Sequence, residues 1–429
     1  MNELQTKKAT PDVQVHKGNG LFVLNWKSLL VFFIFAALVF IEFKFNGSYF
    51  DEILGIVSIG VVLWKWNRIY YQDFRALFLL FVTIGLGLFS NLLYGIHWSW
   101  FSVAVDVLTQ VKLIFCFMAV RYFLSEREKQ IVIDYISPLA RIYFLGAFVM
   151  GIYTQLFGTG MYEEMRYGLK TFRFIFNFSH QYTSISFLMI GAIISATNIS
   201  PRKKNFYTFI GTAAILLALK SPAIIYTVSY IFLYYYFKKY QKLNYKVIIP
   251  LILALIAAST YQIQTYLLNE EAARRIFFEY AFKTANRFFP LGSGFATYGS
   301  AEAAKHYSQL YVDYDFYKHW GMGEGENGMF LYDTYWPMVI GQFGWIGMVL
   351  FGYSYINMFK SIQRSKADYS KKAYIYAMFI QYMVHAMGAS ILSSSTGLIG
   401  FIALSLYTFP DPDKEQIRWN TRIHLDLRD

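Results

Sequence analysis

Apolar residues arrive in blocks of about twenty, the length a helix needs to cross a hydrocarbon core of about 30 Å. The first of them runs from Ser28 to Phe43. Inside a bilayer every backbone N–H and C=O must be paired, which leaves only helices or closed barrels. Barrel strands alternate apolar and polar residues over about ten positions, and these blocks are solidly apolar. Charged residues make up 15% of the chain, against about a quarter in soluble proteins. The expected fold is therefore all-α, a polytopic membrane protein. Twelve spans are predicted, at roughly 28–45, 50–66, 74–94, 100–123, 138–157, 181–197, 206–219, 221–237, 245–267, 332–358, 372–392 and 395–409. Residues 1–429 read as a single membrane domain. A large extracytoplasmic loop containing short helices is expected at 268–331, between spans nine and ten.

The loops fix an orientation. Basic residues gather before span one (Lys7, Lys8, Lys17, Lys27) and after spans two, four, six, eight and ten, and again in the C-terminal tail. With twelve spans all of these fall on one side, so both termini are expected to be cytoplasmic. The formal net charge of +12 is read in the same way, and no nucleic-acid partner is expected. Cys116 is the only cysteine, which excludes an internal disulfide and any cysteine-cluster metal site. The N-terminal block carries no small-residue cleavage motif and reads as a retained helix.

The outward segments, about 158–180 and 268–331, break the charge rule and so attract attention. They hold Arg173, His180, Arg274, Arg275 and Arg287, and Lys220 sits at the outward turn between spans seven and eight. The large loop has six basic and eight acidic residues, so solvated ion pairs explain many of them; Arg275 has Glu271 and Glu279 at helical i±4 spacing. Arg173 and Lys220 have no acidic residue close in sequence. Within the spans, Asp106 and Lys112 lie about 240° apart on a helix and do not face each other. Several cations beside a membrane surface suit a lipid-linked phosphate or pyrophosphate, which arginine binds in bidentate fashion. Asp333 opens span ten, where a carboxylate serves either as a helix cap or as a proton acceptor. Gly292, Gly294 and Gly299 permit tight turns and close backbone approach. Tyr298, Tyr307, Tyr311, Tyr335 and Trp336 suit an interfacial belt or stacking on sugar rings. There is no P-loop, zinc motif or Rossmann opening.

The run Arg287-Phe-Phe-Pro-Leu-Gly-Ser-Gly-Phe-Ala-Thr-Tyr-Gly-Ser300, then Tyr307-Ser-Gln-Leu-Tyr311, then Asp333-Thr-Tyr-Trp-Pro337 with Gly341, Gly344 and Gly347, resembles the Wzy-type polysaccharide polymerases of the O-antigen polymerase and ligase superfamily. Arg173 to Gln181 resembles the family's first outer arginine motif, Leu219-Lys-Ser-Pro222 its short basic turn, and Arg274-Arg275 its second arginine motif. The resemblance covers about residues 100–350. It implies an enzyme of the bacterial plasma membrane whose outward site joins undecaprenyl-pyrophosphate-linked repeat units into an exopolysaccharide, capsule or O-antigen. Ligases of the superfamily carry a histidine where Asp333-Thr334 stands here, which favours the polymerase; a ligase or a lipid-linked oligosaccharide flippase is the alternative. By that resemblance Arg173, Arg274, Arg275, Asp333 and His180 are the expected catalytic residues. Lys220, Arg287, Gly292, Gly294, Tyr298 and Trp336 are expected to bind substrate. No metal or cofactor is expected. The bilayer, the chain-length regulator and the flippase of the same pathway are the other expected partners.

Overall fold

A computed structural model describes residues 25–44, 50–166, 168–240, 243–244, 249–251, 253–255, 264, 269, 272–325 and 328–411. The chain is mostly helical. Its described helices are α1 (Trp26–Lys44), α2 (Phe50–Trp64), α3 (Tyr71–Tyr94), α4 (Trp100–Phe123), α5 (Glu126–Phe157), α6 (Ser179–Ser195), α7 (Pro201–Leu216), α8 (Ser221–Lys239), α9 (Ala273–Arg287), α10 (Ala301–Lys305), α11 (Gln309–Asp313), α12 (Tyr335–Gln363), α13 (Tyr369–His385) and α14 (Ser395–Tyr407). Four of them, α3, α4, α5 and α12, are long and apolar enough to cross a membrane. Eleven of the twelve intervals predicted as spans contain one of these helices or part of one; span nine lies mostly outside the described residues, and its described residues 249–251 and 253–255 are helical. The structure is consistent with the all-α expectation and adds one small element to it. Within 158–180 a hairpin forms from β1 (Tyr162–Arg166) and β2 (Leu169–Phe172), paired antiparallel.

One helix starts well before its predicted limit for a visible reason. α5 begins at Glu126, twelve residues before the predicted start, because Ser125 and Glu128 form a reciprocal capping box. Pro138 sits inside this helix and cannot donate to the carbonyl of Asp134; Asn198 donates to that carbonyl instead, at 3.5 Å. α2 is short, and its first turn meets the middle of α4: Lys112 is ion-paired with Asp51 and, at 3.0 Å, with Glu52. This is where the intramembrane lysine finds its countercharge.

Polar contacts sort to the two ends of the bundle. At one end Arg121 pairs with buried Asp73 at 2.9 Å and donates to Ser361 at 2.9 Å. Nearby Lys129 donates to the carbonyls of Ser405 and Thr408. At the other end lie the hairpin, the 95–99 turn and the long 288–334 segment. That segment has a core of its own, built from Phe277, Tyr298, Leu310, Tyr311, Phe316, Met322 and Leu331, separate from the main core between the long helices. Trp98 of the 95–99 turn stacks on His306 of the long segment, with ring centroids 5.2 Å apart.

Candidate active site

The hairpin is tied to the α7–α8 turn. Phe172 donates its N–H to the carbonyl of Leu217 at 3.0 Å. Lys220, at that turn, reaches Glu163 at 3.2 Å and Glu164 at 2.7 Å. Glu163 also accepts from the Ser179 N–H at 2.9 Å and from the Ser179 hydroxyl, which fastens β1 to the first turn of α6. Burial works to raise the Glu163 carboxyl, but Ser179 and Lys220 outweigh it and hold it below the usual carboxylate range. The hydrogen bond from Lys220 is the main cause that lowers Glu164. No acidic residue lies close to Lys220 in sequence, and its partners come from a strand more than fifty residues earlier.

Arg173 follows β2 and has a knitting role. Its guanidinium donates to the carbonyls of Asn177 and of Gly160, the latter at 3.1 Å. Its Nε is buried with no hydrogen-bond partner among the described residues. The loop it closes delivers His180, which stacks on Phe178 at 5.3 Å. His180 lies within electrostatic reach of Glu163 and Lys220.

The second arm is built on α9. Arg274 donates from Nε at 2.9 Å and from an Nη at 2.7 Å to Oδ2 of Asp333. Asp333 does not cap α12; Thr334 occupies the cap position and no side chain caps it. Burial raises the Asp333 carboxyl above its ordinary range, and Arg274 acts against that rise. His385, at the end of α13, is within electrostatic reach of both His180 and Arg274. The N–H groups of Tyr335 and Trp336 reach the Ala386 carbonyl at 3.3 and 3.4 Å, and the Trp336 indole donates to the Met383 carbonyl at 3.1 Å. Trp336 is half-buried, with its one donor already spent on the protein. Arg275 acts electrostatically on Glu279, whose direct partner is Lys283 at 2.7 Å. Arg287 pairs with Asp313 at 2.8 Å and serves the outer segment's own surface.

The glycine run does different work from that expected. Gly292 and Gly294 adopt φ of 80° and 90°. A Cβ on Gly292 would lie 2.6 Å from the Gln342 carbonyl oxygen, and one on Gly294 would lie 2.7 Å from Asn91. α12 is broken at Gly344, with φ 59° and ψ −163°. The run fills that break: Ser293 and Gly294 donate their N–H groups to the carbonyls of Gly341 and Gln342 at 3.0 and 2.9 Å. Asp106 of α4 completes the seal by accepting from the Ala296 N–H at 2.6 Å and from Gln342 at 2.8 Å. Tyr298 is fully buried and donates to the Phe277 carbonyl at 2.6 Å. Gly292, Gly294 and Tyr298 are thus corrected from substrate contacts to structural ones: the close approach they permit is to α12 and α3.

Arg274 pairs with Asp333, His385 lies within electrostatic reach of Arg274 and His180, and Lys220 and Glu163 act electrostatically on His180. Sequence reasoning missed Glu163, whose signal was an acidic pair in an otherwise basic outward segment. No group of three or more histidine, cysteine or carboxylate side chains suited to a metal ion occurs among the described residues. No protein-family model matches the sequence, and no curated protein matches it.

Proposed function

We propose that the protein is a glycosyltransferase that polymerises lipid-linked oligosaccharide repeat units at the outer face of a bacterial plasma membrane. In this reading the chain crosses the membrane twelve times with both termini in the cytoplasm, and the end carrying the hairpin and the 288–334 segment faces outward. The observation that carries the reading is the Arg274–Asp333 pair beside His385. It is a cation and a partly buried carboxylate set where an apolar bundle meets a polar cap, which suits an anionic lipid headgroup joined to a sugar. The resemblance to the Wzy-type polymerases supports the same assignment.

The donor is a growing glycan on undecaprenyl pyrophosphate. Its pyrophosphate competes with Asp333 for the Arg274 guanidinium, so binding both neutralises the leaving group and frees the carboxylate. A hydroxyl of the incoming lipid-linked unit attacks the donor's anomeric carbon with inversion. The new glycosidic C–O bond forms as the bond to pyrophosphate breaks. The hydroxyl proton passes to Asp333 or His180, and the lipid pyrophosphate departs with the electron pair. Charge grows on the leaving oxygen toward the transition state, where a fixed guanidinium helps most.

The test is the set of lipid-linked intermediates in cells carrying R274A or R173A. Single repeat units on the carrier at the outer face, with loss of long polysaccharide, are expected. Normal chain lengths in both variants would sink the reading. Units trapped on the cytoplasmic side would mark a flippase, and full-length polymer left on the carrier a ligase.

A further inference from the structure

The tyrosines expected to stack on sugar are not available for it: Tyr298, Tyr311 and Tyr335 are each 0% exposed. Exposed rings occur instead on the outer segment's surface, where Trp320 is 78% exposed, Tyr317 57% and Tyr332 46%. We propose that Trp320, flanked by Tyr317 and Tyr332, is a stacking platform for the saccharide chain of the substrate, leading toward Asp333. The proposal rests on the polymerase reading and adds to it the place where the glycan lies.

The platform is built rather than merely exposed. Phe330 sits against Trp320 with ring centroids 5.2 Å apart. Its N–H donates to the Gly321 carbonyl at 3.0 Å. Gly321 has φ +72°, and a Cβ there would lie 2.3 Å from the Phe330 ring, so only glycine lets that ring support the indole. Beneath this layer Phe316, Met322 and Leu331 are fully buried. A large indole left open on a packed base costs hydrophobic stabilisation, and such surfaces mark interaction sites.

The surroundings select the occupant. The patch is interleaved with hydrated charge: Lys318 and Asp315 pair in the open at 2.9 Å, and Glu324 is exposed. A surface meant to sink into lipid would exclude such groups, whereas a sugar offers a C–H face to the ring and hydroxyls to the carboxylate and phenols around it. Trp98, also exposed, differs in lying beside the exposed Trp100 and Phe101 where α4 begins, a setting that suits a bilayer collar. Tyr332 is exposed and immediately precedes Asp333, which sets one of these rings next to the pair assigned to the chemistry.

The experiment uses the full chain in lipid nanodiscs. The probe is short oligosaccharides made by partial hydrolysis of the producing cells' own surface polysaccharide, titrated by calorimetry. W320A is expected to weaken their binding roughly tenfold, the scale of one lost aromatic stacking contact, with W320F restoring most of it. In cells W320A is expected to shorten the polymer without the accumulation of single units expected of R274A. No binding to the wild type, or unchanged binding and chain length in W320A, overturns the platform. So does strong quenching by brominated phospholipid of a bimane placed at W320C, which would make the site a membrane anchor. The polymerase reading falls separately, on the lipid-linked intermediates of R274A.

Discussion

Arg274 spends two nitrogens, Nε and one Nη, on a single oxygen of Asp333, 59 residues further along the chain. Breaking this pair is expected to affect stability and function differently. R274A removes the countercharge of a partly buried carboxylate and should cost about 1–3 kcal/mol. D333N keeps the shape and should cost less. Both should lose polymer. Thermal melting of the purified protein alongside polymer length in cells separates the two effects; a variant that melts normally yet makes no polymer assigns the pair to chemistry.

The pH profile follows from the carboxyl of Asp333. Burial raises its folded-state value, so the folded chain holds this proton more tightly than the unfolded one. Its linkage contribution to stability therefore falls as pH rises from the ordinary aspartate range through the raised value. Activity that needs the ionised base moves oppositely and fails on the acid side of that raised value. Arg274 opposes the rise, so the acid limb of residual activity in R274Q should shift further upward. Single-turnover rates against pH test this. A limb that survives unchanged in D333N assigns the base role to His180.

Lys220 predicts an acid-sensitive strap. Glu163 and Glu164 are both held below their ordinary range. Their contribution is present above the unfolded carboxylate values and is lost as pH falls through the depressed folded ones. The groups are partly exposed, so K220M should cost under about 1 kcal/mol at neutral pH. The larger readout is proteolysis of the hairpin, which should quicken in K220M at neutral pH and quicken in the wild type only on acidification.

G292A should be among the most damaging single changes. The new methyl would meet backbone atoms of Gln342 and Gly344, the nearest at 2.3 Å, at a φ that alanine rarely adopts. A loss of more than about 3 kcal/mol is expected, seen as absence of a monodisperse peak in detergent. D106A strands the Ala296 N–H and the Gln342 amide and should cost about 2–4 kcal/mol. D106N retains an acceptor and should melt closer to the wild type.

The helices were legible because solid apolar blocks admit little else in a bilayer. The start of α5 was missed because Pro138 reads as a boundary, whereas the capping pair Ser125 and Glu128 places the start earlier. The hairpin was not legible: five- and four-residue strands leave too short a pattern. Of the site, Arg274, Asp333, His180 and Lys220 were named from charge in the wrong place for a membrane loop. Glu163 was not named, and the pairing of Arg274 with Asp333 was not foreseen, because both carboxylates meet their cations across more than fifty residues of chain. The glycines were read correctly as places of close approach. Sequence spacing does not say what approaches, and here it is the backbone of α12.

That broken helix sets an order of assembly. The halves of α12 meet at Gly344 around a guest segment, residues 292–294, that docks against α3 and α12. A ribosome delivers the guest before its host, so residues 292–294 wait for α12 to emerge and are then spliced into it. This long helix is thus completed by a piece of chain made before it.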